Sequence, residues 1–340
     1  MKKQYQPTQR NERANPNSKN CGLRSKDINS AAKNALKEKF YAGQIGYATM
    51  TDQHNRFKQF SEFINEKFSV TDLRGVTREH IERFAESLNE KIDKDGKSAS
   101  SAQNILSAVN TVMSQAIGSN ALQVSARDCC LPSRSGIAIE NKAISESQHH
   151  QIASQLPERL AALSEIQRAL GLRFEESCKG NSQKMLSDAL NRQIVIVELG
   201  TKGGQSRTVQ ITSQKQIDAL QQTASIQGSH HSMIPSHMTY SQFQSAAYKE
   251  YAQSNYRPHS ERHAYAQNSY SKHLEAITKI SGLRCPVETG IKHGAQHHQY
   301  LSKKIGCSVK QAKEFDHQAR IYVAEELGHH RINITNAYLG

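Results

Sequence analysis

Six side chains of this 340-residue chain could do chemistry if folding gathered them: Arg173, Lys202, His259, Arg262, His329 and Tyr338. Arg173 stands in GLRFEES with Glu176 three residues on, and Lys202 in TKGGQSR. PHSERH supplies His259-x-x-Arg262 and then His263, while ELGHHRINITNAYLG places His329 nine residues before Tyr338. An arginine keeps its charge at any relevant pH and can fork onto two oxygens of a phosphate, so a pair of them suits an anion clamp. A phenol can act as a covalent nucleophile, and lysine and imidazole can carry protons. This is equipment for opening a phosphodiester without metal or ATP. Singly, each piece has an ordinary reading. Arg173 beside Glu175 and Glu176 could be a surface ion pair, Lys202 a solvated turn residue, and Tyr338 a packing residue on an amphipathic stretch.

Four such pieces in this order resemble the catalytic half of the tyrosine recombinases, the family that includes phage and conjugative-element integrases. The resemblance covers about residues 150–340, and the helical region before it is similar to the family's core-binding domain. It implies that Tyr338 attacks the scissile phosphorus and forms a 3′-phosphotyrosyl link, with Arg173 and Arg262 holding the phosphate. It further implies Lys202 as the acid for the departing 5′ hydroxyl and His259 as the group that takes or shares the tyrosine proton. His329 would donate to a phosphate oxygen, and Glu176 would support the site by orienting arginine and histidine side chains. His263 and His330 read as neighbours without a reactive role. The implied partner is duplex DNA held in a C-shaped clamp, with four protomers on two sites and accessory directionality or DNA-bending factors. No cofactor and no metal are implied. The expected activity is site-specific recombination that integrates or excises a prophage or other mobile element. Resolution of multimers, a type IB topoisomerase and a non-catalytic DNA-binding protein of the same fold stay open.

Three features depart from the family pattern. Position 261 is Glu where an apolar residue is usual, so its carboxylate must turn outward or pair with a nearby base. Between Arg262 and His329 lie 66 residues, and the excess, about 272–316, is rich in lysine. It is expected to be either an added DNA- or protomer-contacting element or a surface insertion. Cys285, His293, His297 and Cys307 within it match no common zinc module. The sequence also stops two residues after Tyr338, where the family continues into a tail exchanged between protomers. That exchange is expected to be handled elsewhere, or the sequence to be truncated.

The elements that must position these residues are mainly helical. The fold class expected is mainly α with a small antiparallel β-sheet, in two domains. Residues 1–28, polar and basic, are expected to form a disordered arm. In 29–120, Phe57, Phe60, Ile64 and Phe68 share one helix face, Ile81, Phe84, Leu88 and Ile92 a second after an N-cap at Thr77, and Ile105, Val109, Val112 and Ala116 a third. Residues 121–143 are expected to be a linker and 144–340 the catalytic domain. There a helix should run over about 157–170 and end near Gly171, and IVIVEL and TVQI should pair across the turn that holds Lys202. A helix over about 309–327 should begin with Ser308 and Gln311 as a capping box and end at Gly328.

The net charge of +13 fits a polyanionic partner, and no apolar run approaches the roughly 20 residues of a membrane span. The six cysteines form no C-x-x-C pair, and a cytoplasmic location is the default expectation.

Overall fold

The computed structural model describes residues 15–329 and 331–340. The chain divides between Arg134 and Ser135, inside the stretch 121–143, into two compact units.

The first unit is a helical bundle of α1 (Ile28–Tyr41), α2 (Tyr47–Phe68), α3 (Arg78–Asp95) and α4 (Ala99–Ile117). The apolar stripes explain the packing: Phe57, Phe60 and Ile64 of α2 meet Ile81, Phe84 and Leu88 of α3 and Ile105, Val109, Val112 and Ala116 of α4, all buried. Phe68 is a correction to its stripe. It lies at the last turn of α2 and is exposed, with its ring against Phe63 and His80. Thr77 caps α3 as expected, accepting from the backbone N–H of His80.

The expected arm at 1–28 is corrected over its described part, while residues 1–14 lie outside the described residues. Leu23 is buried, and so is Asn20, held at a φ of 53°. The Asn20 side chain accepts from the N–H of Leu73 at 2.9 Å and donates to the carbonyl of Ser25 at 3.0 Å. The Asn20 N–H donates to Asp72. A polar composition reads as unable to bury surface, but one asparagine that satisfies backbone groups on both sides needs little apolar area to pin a segment.

The second unit carries α5 (Glu146–Ala153), α6 (Glu158–Leu170), α7 (Phe174–Lys179), α8 (Ser182–Arg192), β1 (Ile194–Val197), β2 (Arg207–Gln210), α9 (Gln214–Gln227), α10 (Tyr240–Gln253), α11 (His259–Thr278), α12 (Pro286–Thr289), α13 (Ala295–Ile305), α14 (Val309–Glu326) and α15 (Asn336–Leu339). The two strands are antiparallel, with Val195 opposite Val209 and Val197 opposite Arg207. Alternation turns Val195, Val197 and Val209 inward against Ile166, Leu170 and Leu220, and it turns Arg207 inward with them. The class is therefore mainly α with a small antiparallel sheet. Among the described residues no helix is long and apolar enough to cross a membrane.

The stretch 272–316 is no surface appendage. Its first residues complete α11, and Leu283, Cys285, Leu301 and Ala312 share one buried core with Tyr338 and Leu339. Behind that core, the Tyr270 hydroxyl donates to Asp316 at 2.6 Å and Asp316 pairs with Arg320 at 3.0 Å. Arg320 donates in turn to Asn336 and to the carbonyl of Gly340. The segment thus builds the wall on which α15 rests.

Replacing Asn20 with Ala leaves the N–H of Leu73 and the carbonyl of Ser25 without their partner. The expected loss is about 1–3 kcal/mol of stability, read as a lower urea midpoint with an unchanged slope.

Candidate active site

Two helix ends converge on one buried guanidinium. At the end of α6, Gly171 turns the chain with a φ of 62°, and a Cβ there would meet the Tyr265 ring at 2.5 Å. Beyond α14, Gly328 turns it with a φ of 67°, and a Cβ would meet the Arg207 side chain at 2.8 Å. Both positions therefore require glycine. The last carbonyls of a helix lack partners within it and sit at its negative end. Arg262 of α11, fully buried, uses them: it donates to the carbonyl of Gly171 and, at 2.6 Å, to that of Leu327. Its Nε donates to the Tyr338 hydroxyl at 3.3 Å. Burial pulls the Arg262 pKa down to about 10, which leaves it charged at neutral pH.

Glu176 gathers the arginines. It lies on α7, fully buried, one turn after Arg173. Its carboxylate accepts from the Arg173 backbone N–H at 2.8 Å and from the Arg173 guanidinium at 2.6 Å. It also pairs with Arg207 at 2.9 Å and lies 3.8 Å from Arg262. Burial alone would raise the Glu176 pKa, but Arg207, Arg262 and Arg173 outweigh it and hold the carboxyl below its ordinary range. Three guanidiniums around one carboxylate leave this ion-paired group with an excess of positive charge. Arg173, with its side chain 22% exposed, is the member open to solvent.

Around the buried Tyr338 lie three imidazoles. Ring centroids are 4.8 Å away for His263, 5.8 Å for His259 and 5.9 Å for His329. Burial, and then the neighbouring guanidiniums, push His259 and His329 down to about 4. His263 is also pushed to about 4, by burial and then by His259, Lys142 and Arg262. His259 keeps an exposed face at the start of α11, so water screens its shift more than that of the buried His263. The Nε2 atom of His329 is buried and has no hydrogen-bond partner among the described residues.

The structure thus brings together Arg173, Glu176, Arg262, His259, His329 and Tyr338. Lys202 is not in that contact group. It stands exposed on the turn between β1 and β2, within electrostatic range of His329. One residue escaped the sequence reading. Arg207 donates to the carbonyls of Glu326 at 2.9 Å and Gly171 at 3.3 Å, tying the two helix ends together. Its signal was strand alternation, which places position 207 on the face of Val209. His263, read from the sequence as a neighbour without a reactive role, has the nearest of the three imidazoles to the phenol, one turn of α11 after His259.

Glu261 takes the second of its two expected courses and pairs with bases. It is fully buried, 2.9 Å from His149 and 2.8 Å from Arg168, and it accepts from the Tyr256 hydroxyl at 3.1 Å. Of the cysteines and histidines in the expected insertion, Cys285 donates to Glu288 and His297 bonds the Tyr270 hydroxyl.

Residues 133–268 match a family model described as Integrase. No curated protein matches the sequence at significant similarity. Among solved structures, the integrase of the Tn1549 transposon in complex with circular intermediate DNA is 14% identical, with 91% of this chain and 95% of that chain covered and a TM-score of 0.50. A lambda integrase dimer bound to a COC′ core site is 16% identical, with 84% and 76% covered and a TM-score of 0.50.

The depressed histidines set a pH dependence. The unfolded chain takes up protons near the ordinary 6.5, while the folded site resists until about 4, so stability falls as pH drops through this window. His263→Asn should flatten the decline in urea midpoint between pH 6.5 and 4.5. An unchanged slope in that variant would refute the assignment of the buried imidazole as neutral.

Proposed function

Because residues 133–268 match the integrase family model and the fold is that of the tyrosine recombinases, we propose that this chain cleaves and rejoins duplex DNA with Tyr338 as its nucleophile. One observation carries the reading: the Tyr338 hydroxyl lies 3.3 Å from Arg262, within a group of guanidiniums that lacks enough negative charge. A phosphodiester supplies the missing anion.

In this mechanism Arg173 and Arg262 hold the two non-bridging oxygens as charge builds on them in the transition state, and Arg207 joins them through Glu176. The Tyr338 oxygen bonds to phosphorus as the bond to the 5′ oxygen breaks. The phenol proton passes to His259, whose neutral imidazole is ready to accept it. Lys202 gives a proton to the departing 5′ oxygen, which requires its turn to swing toward the phosphate. The Nε2 of His329, without a hydrogen-bond partner among the described residues, donates to a phosphate oxygen. Attack of a 5′ hydroxyl on the phosphotyrosyl bond then reverses the step, with no loss of bond energy to solvent. In the free protein the phenol covers a fully buried Arg262, so the phosphate reaches that guanidinium only once α15 shifts.

The biological role proposed is integration or excision of a mobile element, by protomers assembled as a tetramer on two DNA sites and assisted by directionality or bending factors. The Tn1549 and lambda proteins in the matched structures are integrases on DNA.

A DNA duplex carrying the element's recombination site, nicked just beyond the scissile phosphate, tests the reading. Wild-type protein should accumulate a covalent protein–DNA adduct, and Tyr338→Phe should form none while binding the duplex with unchanged affinity. Relaxation of supercoiled DNA that needs no recombination site would instead favour a topoisomerase. DNA binding with no adduct in the wild type would leave a binding protein of this fold.

A further inference from the structure

Between α5 and α6 lies a second set of groups that the proposed DNA cleavage does not use. His149 of α5 is buried between two carboxylates, its Nδ1 2.9 Å from Glu261 and its Nε2 2.7 Å from Glu165 of α6. Beside it His150 is exposed, with its Nε2 3.8 Å from Glu146 one turn earlier on α5. Ligand atoms of His149, His150 and Glu165 all lie within 4.8 Å of one another. We propose that His149, His150 and Glu165 bind a divalent transition-metal ion, of which Zn2+ fits best, with Glu146 or water as the fourth ligand.

Two imidazoles and a carboxylate are a common zinc donor set, with bonds of about 2.0–2.2 Å. The second observation is Glu261. A metal-bound imidazole nearly always presents its other N–H to a carboxylate, which fixes the tautomer and raises the basicity of the ligating nitrogen. Glu261 does this from a fully buried position, and it is itself fixed by Arg168 and Tyr256. Binding requires modest movement: the ion inserts between His149 Nε2 and Glu165, the proton they share leaves to solvent, and the exposed His150 ring turns inward. The charges permit it. Glu146, Glu165 and Glu261 face Arg168 and Lys215, a net negative surround once both imidazoles are neutral. The proposal is independent of the reaction assigned to Tyr338.

The test uses the full chain, stripped with chelator and kept reduced, titrated calorimetrically with Zn2+ alone and spectroscopically with Co2+. The expected result is one equivalent bound, with the visible bands of four-coordinate cobalt and no thiolate charge-transfer band. His150→Ala, a change at an exposed side chain, should weaken the affinity at least tenfold with the metal-free melting temperature unchanged, and Glu165→Gln should do the same to the affinity. No metal uptake, a thiolate band, or undiminished affinity in His150→Ala would overturn the site.

Discussion

A fully buried guanidinium is tolerable only if its charge and its N–H groups are met, and Arg262 is the point at which this fold meets that demand. Two helix C-terminal carbonyls, one phenol and the edge of one carboxylate surround it. Each comes from a different element, so the position of Arg262 ties α6, α7, α11, the end of α14 and α15 to a common centre. Removing a partner from such a buried charge costs about 3–5 kcal/mol, whereas the complete arrangement adds little net stability. The arrangement is therefore better understood as a device for holding cations close together than as a contribution to folding.

Glu176 makes that device possible. Without its carboxylate, Arg173, Arg207 and Arg262 would repel one another across a few ångströms of low-dielectric interior. With it, the cluster stays assembled yet under-neutralised, and it retains an attraction for one further anion. Burial, and after it the same electrostatics, keeps the surrounding imidazoles neutral. In the proposed reaction His259 and His329 then serve as acceptor and donor without a change of charge state before the substrate arrives. The phenol completes the arrangement from a short helix braced by the Tyr270, Asp316 and Arg320 chain. The long segment before His329 thus has a mechanical role in placing Tyr338.

Much of this was legible in the sequence because chemistry-bearing residues recur in fixed order and because apolar periodicity is local. The helices at 57–116, the cap at Thr77, the strand pair around Lys202 and the glycine ends at 171 and 328 follow from patterns a few residues long. What was missed depends on contacts far apart in the chain. Asn20 is buried because Leu73, 53 positions away, needs an acceptor. Arg207 faces inward because a strand begins one residue earlier than its apolar pattern suggests. The core role of 272–316 is invisible in a lysine-rich composition, because long basic side chains hide how many small and apolar residues between them pack inward. The contact of His263 with the phenol follows from helical spacing after His259 only once Tyr338 is known to lie on that face.

The account rests on one carboxylate assembling three guanidiniums into a phosphate site, and Glu176→Gln tests it most directly. The variant keeps the shape and removes the charge, and the quantity to measure is the rate of covalent adduct formation at saturating nicked DNA. A displacement of the clamp by about 1 Å should slow that step roughly 100-fold, in a protein that still folds and still binds DNA. A variant that forms the adduct at the wild-type rate would contradict the claim that Glu176 organises the site.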